Sequence, residues 1–506
     1  MSGPDLASAV GDVLAIDPTT FQDRVHEEAA VLKTELEAGT FDNPQAIVGL
    51  EYEFYAVDEY GSLARIPRRL LEYVGFEKEL GLHNAEMQTF PDPLNDAGLQ
   101  SQESSVISRI DAAARPMDAE GLQLVSDGLW TIPPTGESTR EYLTDTVERE
   151  GMVLATNMSD TPRYHAMANS PVEPGMRIDV PHASLEAETV MPESLITSIQ
   201  PHYQVPRAAD LPEYFRYALR VAGPLLALGV NSPFLPPDLY DDVDPYAVLS
   251  DGYAEHRIDI FESMLNVPGR DGKVRFPEDV ATVEDAIMAI AEDDVLVPMA
   301  VEKGCRFDDD FAHFRMKHGT FWRWVRPVFE GASRTDANAR IEFRPIPAQP
   351  TVRDSIAFQA AFAGLLEQLR QQEHPLFELS WAAARENFYA AMREGLDADL
   401  TYITASGEEP AEPPDIYADL LEQAQAGLRR RGLTGETAAR YLWPLRRRVR
   451  QGITPAEWKR NRVREKLQDG ADLTVAIEEM QEHYFELQRR TLLDGSFTDW
   501  FDPGGP

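Results

Sequence analysis

Residues 47–58 read IVGLEYEFYAVD, a run in which β-branched and aromatic residues alternate with polar ones. This alternation is typical of a β-strand with one buried face. In such a strand Glu51 and Glu53 point to one face, and the apolar residues between them point to the other. Two carboxylates about 7 Å apart repel each other unless a cation lies between them. The stretch therefore predicts either a metal-binding strand or a solvent-exposed strand with two ordinary surface charges.

A second alternating segment is ARIEFRPIP, residues 339–347, in which Arg340, Glu342 and Arg344 share one face. Such a row can bind a metal through its carboxylate and a phosphate through a guanidinium. It can equally form a cross-strand ion pair on a wet sheet face, which stabilises a fold only weakly. The residue types alone leave both interpretations open.

A third segment, SIQPHYQVP at residues 198–206, places Gln200, His202 and Gln204 on one face. Pro201 has no N–H group, so we expect this segment to be an edge strand or to contain a bulge. A lone histidine serves as a structural group more often than as a ligand. Together the three segments predict a sheet with one polar, charged, concave face.

Helical patterns surround these strands. Residues 18–36 predict a helix that Asp17 can cap, and residues 211–229 predict a second helix that ends at Gly229. From Thr351 onward the pattern is helical, most clearly over residues 472–492.

The remaining segments complete the predicted organisation. HGTFWRWVRPVFE, residues 318–330, predicts another strand, and residues 266–312 predict an acidic, loop-rich insertion. We expect three parts: an N-terminal helical segment at 1–42, a catalytic α+β domain at 43–372 that contains this insertion, and a helical region at 373–506 packed on that domain.

Composition excludes several classes of protein. The 506 residues carry a net charge of −39, with seven lysines against 40 arginines, so the surface should repel nucleic acids and anionic membranes. We find neither a secretory signal nor an apolar run of spanning length. A single cysteine, Cys305, excludes internal disulfides and cysteine-based zinc sites. These features predict a soluble, cytoplasmic protein, and self-association into a homo-oligomer is left open.

Two local patterns bear on nucleotide binding. Glycine-rich phosphate loops of the standard types are absent from the sequence, so an ATP site would have to be based on metal ions. The segment 428–467 is strongly basic. We interpret it as a helical layer whose arginines pack on the protein's own acidic surface, and a nucleotide or partner surface is the alternative.

Taken in order, these segments resemble the type-2 glutamate–cysteine ligase family, a carboxylate–amine ligase group with a glutamine-synthetase-like sheet. The resemblance covers about residues 43–400. Its matching segments are GLEYEF (49–54), AEMQTF (85–90), SDTPRYHAM (159–167), the polar strand at His202, LLALGVNSPF (225–234), DGYAEHR (251–257), HGTFWRWVRP (318–327), IEFRPIP (341–347) and ENFYAAMREGLDA (386–398).

The resemblance implies an α+β fold, in which a curved and mainly antiparallel sheet flanked by helices surrounds ATP and Mg²⁺, or Mn²⁺ in its place. It implies an enzyme that phosphorylates the γ-carboxylate of glutamate and lets the amine of cysteine attack the acyl phosphate. The implied metal ligands are Glu51, Glu53, Glu86 and Glu342. The implied catalytic residues are Arg344, His202 and Glu53, and the implied substrate or nucleotide ligands are Arg257, Gln204 and Arg326.

Departures from the family pattern leave alternatives open. His202-Tyr203-Gln204 stands where family members often have His-x-His, and Pro347 stands where an Asp is common. The acceptor is therefore cysteine or another amine, and another carboxylate donor is open as well. A family member that has lost catalysis and acts as a binding or regulatory protein is the alternative from a different class.

The acidic, lysine-poor composition generates the first prediction. With a net charge of −39 the folded chain repels itself in dilute buffer, whereas in 1 M salt the screening length falls to about 3 Å. We therefore expect a halophilic protein whose melting temperature and activity rise between 0.1 and 2 M KCl. A thermal melt across this range is the measurement, and full folding and activity at low salt would contradict the prediction.

Overall fold

The computed structural model describes residues 3–170, 175–267, 269, 272–302, 304–407 and 413–501. Its strands are β1 (Ile47–Val57), β2 (Glu77–Lys78), β3 (Asn84–Gln88), β4 (Asp92–Pro93), β5 (Gln123–Val125), β6 (Thr146–Arg149), β7 (Met152–Ala155), β8 (Arg177–Val180), β9 (Ala183–Glu186), β10 (Ile199–Gln204), β11 (Val325–Glu330) and β12 (Asn338–Phe343). Its α-helices are α1 (Gly3–Leu14), α2 (Pro18–Glu37), α3 (Arg68–Val74), α4 (Asp96–Asp118), α5 (Thr139–Thr144), α6 (Pro162–Ala168), α7 (Leu211–Gly229), α8 (Pro245–Asp251), α9 (His256–Leu265), α10 (Val283–Ala291), α11 (Ala312–His318), α12 (Val352–Gln371), α13 (Trp381–Glu394), α14 (Pro413–Arg430), α15 (Gly435–Gln451), α16 (Pro455–Gln468) and α17 (Leu473–Thr491).

The predicted strand β1 lies in the interior of a curled antiparallel sheet. The strand order is β11-β12-β10-β1-β3-β2, and β4 and β5 pair with the two ends of β1. Glu51 lies opposite Gln200 of β10, and Glu53 lies opposite Glu86 of β3. The α+β prediction with a curved antiparallel sheet is confirmed, and this register brings the polar residues of three strands onto one face.

The opposite face of the sheet forms the core. Leu50, Tyr52 and Phe54 are buried as their alternation predicts, and the rings of Tyr52 and Phe54 stack at 4.2 Å. Helix α12 covers this face, where Phe362 stacks on Phe343 at 4.3 Å. Burying each large apolar side chain contributes about 1.5–3 kcal/mol, so this packing fixes which face of the sheet is left for chemistry.

Strand β10 corrects one expectation. It lies between β1 and β12, so the edge position predicted from Pro201 is wrong. The bulge that was the alternative lies on the partner segment, and β10 itself continues without one. Between the pairs His202–Glu342 and Ser198–Pro347, four steps along β10 face five steps along the partner, and the extra residue falls in the segment after Glu342. The bulge lets a proline stand inside the sheet because the ladder is already interrupted there.

The strand predicted over residues 318–330 is too long. Helix α11 ends at His318, and β11 begins only at Val325. The apolar and aromatic residues between them mimic a strand in sequence, yet Phe321 and Trp324 are buried in an irregular connection. Strand β12 likewise ends at Phe343, although the backbone N–H of Arg344 still donates to the carbonyl of Trp324 at 2.9 Å.

The helix predictions are confirmed at α2, α7, α12 and α17. Asp17 caps α2 by accepting from the N–H of Thr20 at 2.8 Å. The segment 266–312 is less irregular than predicted, because it contains α10, which packs on α2. Its capping box, formed by Thr282 and Asp285, indicates a helix start, but the acidic composition of the segment favoured the prediction of a loop.

The basic segment 428–467 folds as helices, and two of its cations are buried against the protein's own acids. Arg448 is fully buried, where it donates to Asp354 at 2.7 Å and to Gln349 at 2.8 Å. Lys459 is buried against both oxygens of Asp127, at 2.5 and 2.7 Å. These contacts support the interpretation of a helical layer that packs on the protein's own acids.

Among the described residues, every helix is too short or too polar to cross a membrane.

The buried pair generates the second prediction. Arg448→Met leaves Asp354 as an uncompensated buried charge, which costs about 3–5 kcal/mol. The matched control is Arg450→Met, on the exposed side of the same helix, which should change stability by less than about 0.5 kcal/mol. Urea unfolding of both variants in the same salt measures the difference, and equal losses would contradict the structure.

Candidate active site

Four carboxylates meet on the polar face of the sheet. Glu51 and Glu53 project from β1, Glu86 projects from β3, and Glu79 comes from the loop after β2. Burial and the neighbouring carboxylate of Glu79 raise the pKa of Glu53 to about 7. Burial and the same kind of repulsion raise the pKa of Glu79, and that of Glu86 lies well above its usual range. This face is therefore short of positive charge.

The donor chemistry of this face fits a hard divalent cation. Carboxylate oxygens are the ligands that Mg²⁺ takes, and a cation would relieve the repulsion that raises these pKa values. Within the described part of the chain, three acidic or imidazole groups do not converge closely enough to form a metal site as they stand. The fit therefore rests on the types of donor that are clustered here.

Two arginines supply positive charge to the same face through a chain of hydrogen bonds. Arg344 Nη1 donates to Glu342 Oε1 at 2.7 Å and to Gln200 Oε1 at 2.6 Å. Gln200 Nε2 in turn donates to Glu53 Oε1 at 2.9 Å. Arg326 Nε donates to the other oxygen of Glu342 at 2.8 Å. Although burial acts to raise it, the two guanidiniums hold the pKa of Glu342 well below its usual range.

His202 is oriented by its neighbours. Arg340 Nε donates to His202 Nδ1 at 3.1 Å, so Nδ1 acts as the acceptor nitrogen. The other nitrogen, Nε2, then carries the proton and lies 3.2 Å from Glu51 Oε1. In this arrangement His202 offers a hydrogen to a carboxylate or phosphate oxygen, and a metal would need the other tautomer.

A second group of residues lies at the deep end of the face. Burial, together with Glu79 and Glu53, raises the pKa of Glu193 to about 8. The carboxylate of Glu79 is the main reason that the pKa of Tyr164 lies well above its usual value. Arg257 is buried here, with its guanidinium 5.1 Å from the ring centre of Trp324 and a hydrogen bond to the carbonyl of Pro345.

The other end of the face opens into a cleft of about 770 Å³. Its floor includes Gly49 and Glu51 of β1, with His202 and Gln204 of β10 beside them. Arg340 and Arg306 line one wall. The cleft can therefore admit a large polar molecule and lead it to the carboxylate face.

The profile of the glutamate-cysteine ligase family 2 (GCS2) matches residues 47–488. The chain belongs to this family. The match begins at β1 and ends within α17, so it includes the sheet, its polar face and most of the helical layer.

Known proteins of this kind are similar to the chain over different lengths. A putative glutamate–cysteine ligase 2 from Trichormus variabilis is 30% identical over 125 residues, which cover 22% of this chain and 29% of that relative. The crystal structure of a glutamate–cysteine ligase from Francisella tularensis in complex with AMP matches with a TM-score of 0.51 and 13% identity, over 90% of this chain and 91% of that one. A bifunctional glutathione synthetase from Pasteurella multocida matches with a TM-score of 0.45 and 13% identity, over 91% and 55%. The Francisella structure supports the fold of this family for the chain.

Most of the residues named from the sequence lie on this one face, as the register requires. Three of these residues make hydrogen bonds within the chain that bear on their expected roles, and those roles stay predictions. Arg326 is engaged by Glu342 and by the carbonyls of His318 and Phe321, so it holds other groups in place. Gln204 donates to the carbonyl of Gln45. Both oxygens of Glu342 already accept hydrogen bonds from arginine.

Sequence reasoning missed Glu79 and Glu193. Each lies in a short irregular segment, Glu79 after a two-residue strand and Glu193 in a 3-10 turn. Neither segment has a periodicity that would assign its side chains to a face. Only the folded chain brings these two carboxylates to Glu53.

The raised pKa values generate the third prediction. The folded chain holds a proton on Glu53 up to about pH 7, whereas an unfolded glutamate releases it near 4.5. The folded state therefore binds more protons in this window, and its stability falls as pH rises from about 5 to 8. In EDTA at pH 8, Glu53→Gln should be more stable than the wild type by about 1–3 kcal/mol.

Thermal melts against pH, in EDTA and in Mg²⁺, measure this effect. The matched control is Glu186→Gln on the exposed side of β9, whose pH dependence should follow the wild type. Added Mg²⁺ should stabilise the wild type more than Glu53→Gln. Identical pH profiles for Glu53→Gln and the wild type would contradict the assignment of Glu53 to a crowded carboxylate face.

Proposed function

We propose that the chain is an ATP- and Mg²⁺-dependent ligase that joins the γ-carboxylate of glutamate to the amine of cysteine. The observation that carries the proposal is the crowded carboxylate face beside Arg344, in a chain whose family match spans residues 47–488. A cytoplasmic location and function at high salt stay predictions from the composition.

The proposed reaction has two steps. The γ-phosphoryl group of ATP passes to an oxygen of the glutamate γ-carboxylate and ADP leaves. The amine nitrogen then attacks the acyl carbon, the amide bond forms, phosphate leaves and the amine loses a proton. Phosphoryl transfer depends mainly on positioning and on charge neutralisation.

The charges of the site are suited to this chemistry. Bound Mg²⁺ would neutralise phosphate charge, with Glu51, Glu53, Glu79 and Glu86 as the residues that would hold it. Mn²⁺ would suit the same oxygen ligands. Arg344 lies between Glu342 and Gln200, where its guanidinium can stabilise the transferred phosphoryl group.

The two ends of the face favour different substrates. The cleft that opens at Glu51, His202 and Arg340 suits the nucleotide, because it is large and its lining includes three arginines beside its acidic residues. The deep end at Arg257 and Glu193 suits the amino acids, because a guanidinium can bind an α-carboxylate and a carboxylate can bind an ammonium group. Small-molecule substrates are therefore proposed for both ends.

The identity of the amine is the open part of the proposal. Gln204 stands two residues after His202, where family members often have a second histidine, and its side chain is bound to the carbonyl of Gln45. This observation favours a second candidate, a ligase of the same chemistry with an amine other than cysteine.

The fourth prediction tests the activity directly. We expect ADP release from ATP, Mg²⁺ and glutamate in molar KCl to depend on cysteine, with a γ-linked dipeptide detected by mass spectrometry. Glu53→Gln should reduce turnover by at least about 100-fold, because it removes a proposed metal ligand. The matched control Glu186→Gln should keep wild-type turnover.

Each outcome of this assay has a meaning. ADP release with a different amine would establish the ligase chemistry and replace cysteine as the acceptor. Unchanged turnover in Glu53→Gln would remove the proposed metal site. Folded protein that binds ATP and releases no ADP with any amine of the panel would support a binding protein instead.

A further inference from the structure

Phe90 is an exposed aromatic residue on the wall of the cleft. The residue is 77% exposed, although Thr89 before it and most of β3 are buried. An exposed phenylalanine leaves apolar surface in contact with water, which is unfavourable. A single exposed apolar residue is ordinary on a protein surface, but Phe90 is held by a buried hydrogen bond and lines the cleft.

The backbone of Phe90 is held firmly. Its carbonyl accepts from the fully buried Gln102 side chain at 2.7 Å, and the preceding Thr89 N–H donates to the Leu50 carbonyl at 2.9 Å. Arg109 stands beside the ring, with its guanidinium 6.0 Å from the ring centre and a hydrogen bond to the Gln88 carbonyl at 2.9 Å. The ring is thus presented to the cleft on an ordered support.

Gly49 makes the floor flat beside this ring. A Cβ atom at Gly49 would meet no atom nearer than His202 Cβ at 3.8 Å among the described residues, so the fold itself does not require glycine here. Gly49 shares the polar face with Glu51, about 7 Å further along β1. A flat ligand can therefore lie over Gly49 while its charged end reaches Glu51.

We propose that Phe90, with Arg109 at its edge and Gly49 beneath, binds the purine base of ATP by stacking, with the phosphates extending along β1 toward Glu51. The inference rests on the proposed function and adds a base-binding residue to it. Aromatic rings and guanidinium groups are the surfaces on which nucleobases stack, and the cations Arg340 and Arg306 line the same cleft.

The test separates base binding from phosphate binding. Calorimetry in Mg²⁺ measures the Kd of ATP and of inorganic tripolyphosphate for the wild type, Phe90→Ala, Phe90→Trp and Tyr60→Ala. Tyr60 is a matched control, 71% exposed in the loop after the far end of β1. We expect Phe90→Ala to weaken ATP about tenfold and to leave tripolyphosphate unchanged, with Phe90→Trp and Tyr60→Ala close to wild type.

The outcomes are distinguishable. Equal ATP affinity in Phe90→Ala and the wild type, or equal losses for ATP and tripolyphosphate, would overturn the assignment of Phe90 while leaving the proposed ligase intact. A folded wild-type protein that binds neither compound would overturn the proposed function and this inference with it.

Discussion

The constraint on which the structure depends is the burial of like charges on one face of a sheet. Glu51 and Glu53 can lie there only because β1 is an interior strand whose other face is locked into the core. Strand β3 adds a further carboxylate, Glu86, so hydrogen-bond donors and positive charge have to come from the strands on the other side of β1. Gln200, Arg344 and Arg340 fill this role from β10 and from β12 with its continuation, and the carboxylate excess that is left suits a divalent cation.

The C-terminal helices also support the sheet. Buried contacts from Arg448 and Lys459 reach Asp354 and Asp127, at the start of α12 and just after β5. These contacts join the C-terminal helices to the elements that support the sheet. The layer therefore stabilises the elements that support the carboxylate face of the sheet.

Much of the fold could be predicted from the sequence, because its strongest signals are local. Alternation located β1 and its faces, and the bounds of α7 follow from an apolar run with a clear end. The aromatic residues over 319–324 led to a strand prediction that is too long, because buried irregular connections use the same side chains as buried strands. Pro201 misled about the edge because a bulge lies on the neighbouring strand, which a single segment cannot reveal.

The site was predictable where it lies on regular strands. Glu51, Glu53 and Arg344 follow from alternation, whereas Glu79 and Glu193 depend on loops whose direction only tertiary packing determines. Arg326 shows the converse, because the family resemblance implied a ligand and its guanidinium donates to Glu342 instead. Strand periodicity thus assigns faces, and it does not tell a residue that binds a ligand from one that holds its neighbour.

The buried lysines have a practical consequence. Of seven lysines in the sequence, Lys273, Lys317 and Lys459 are buried, and the described residues that line the cleft include arginines but not lysines. Amine-directed cross-linkers and labels will therefore modify few positions and none of the described cleft wall. Carboxyl-directed or arginine-directed reagents are the suitable chemical probes of this protein, and attachment to a support through amines should leave the cleft open.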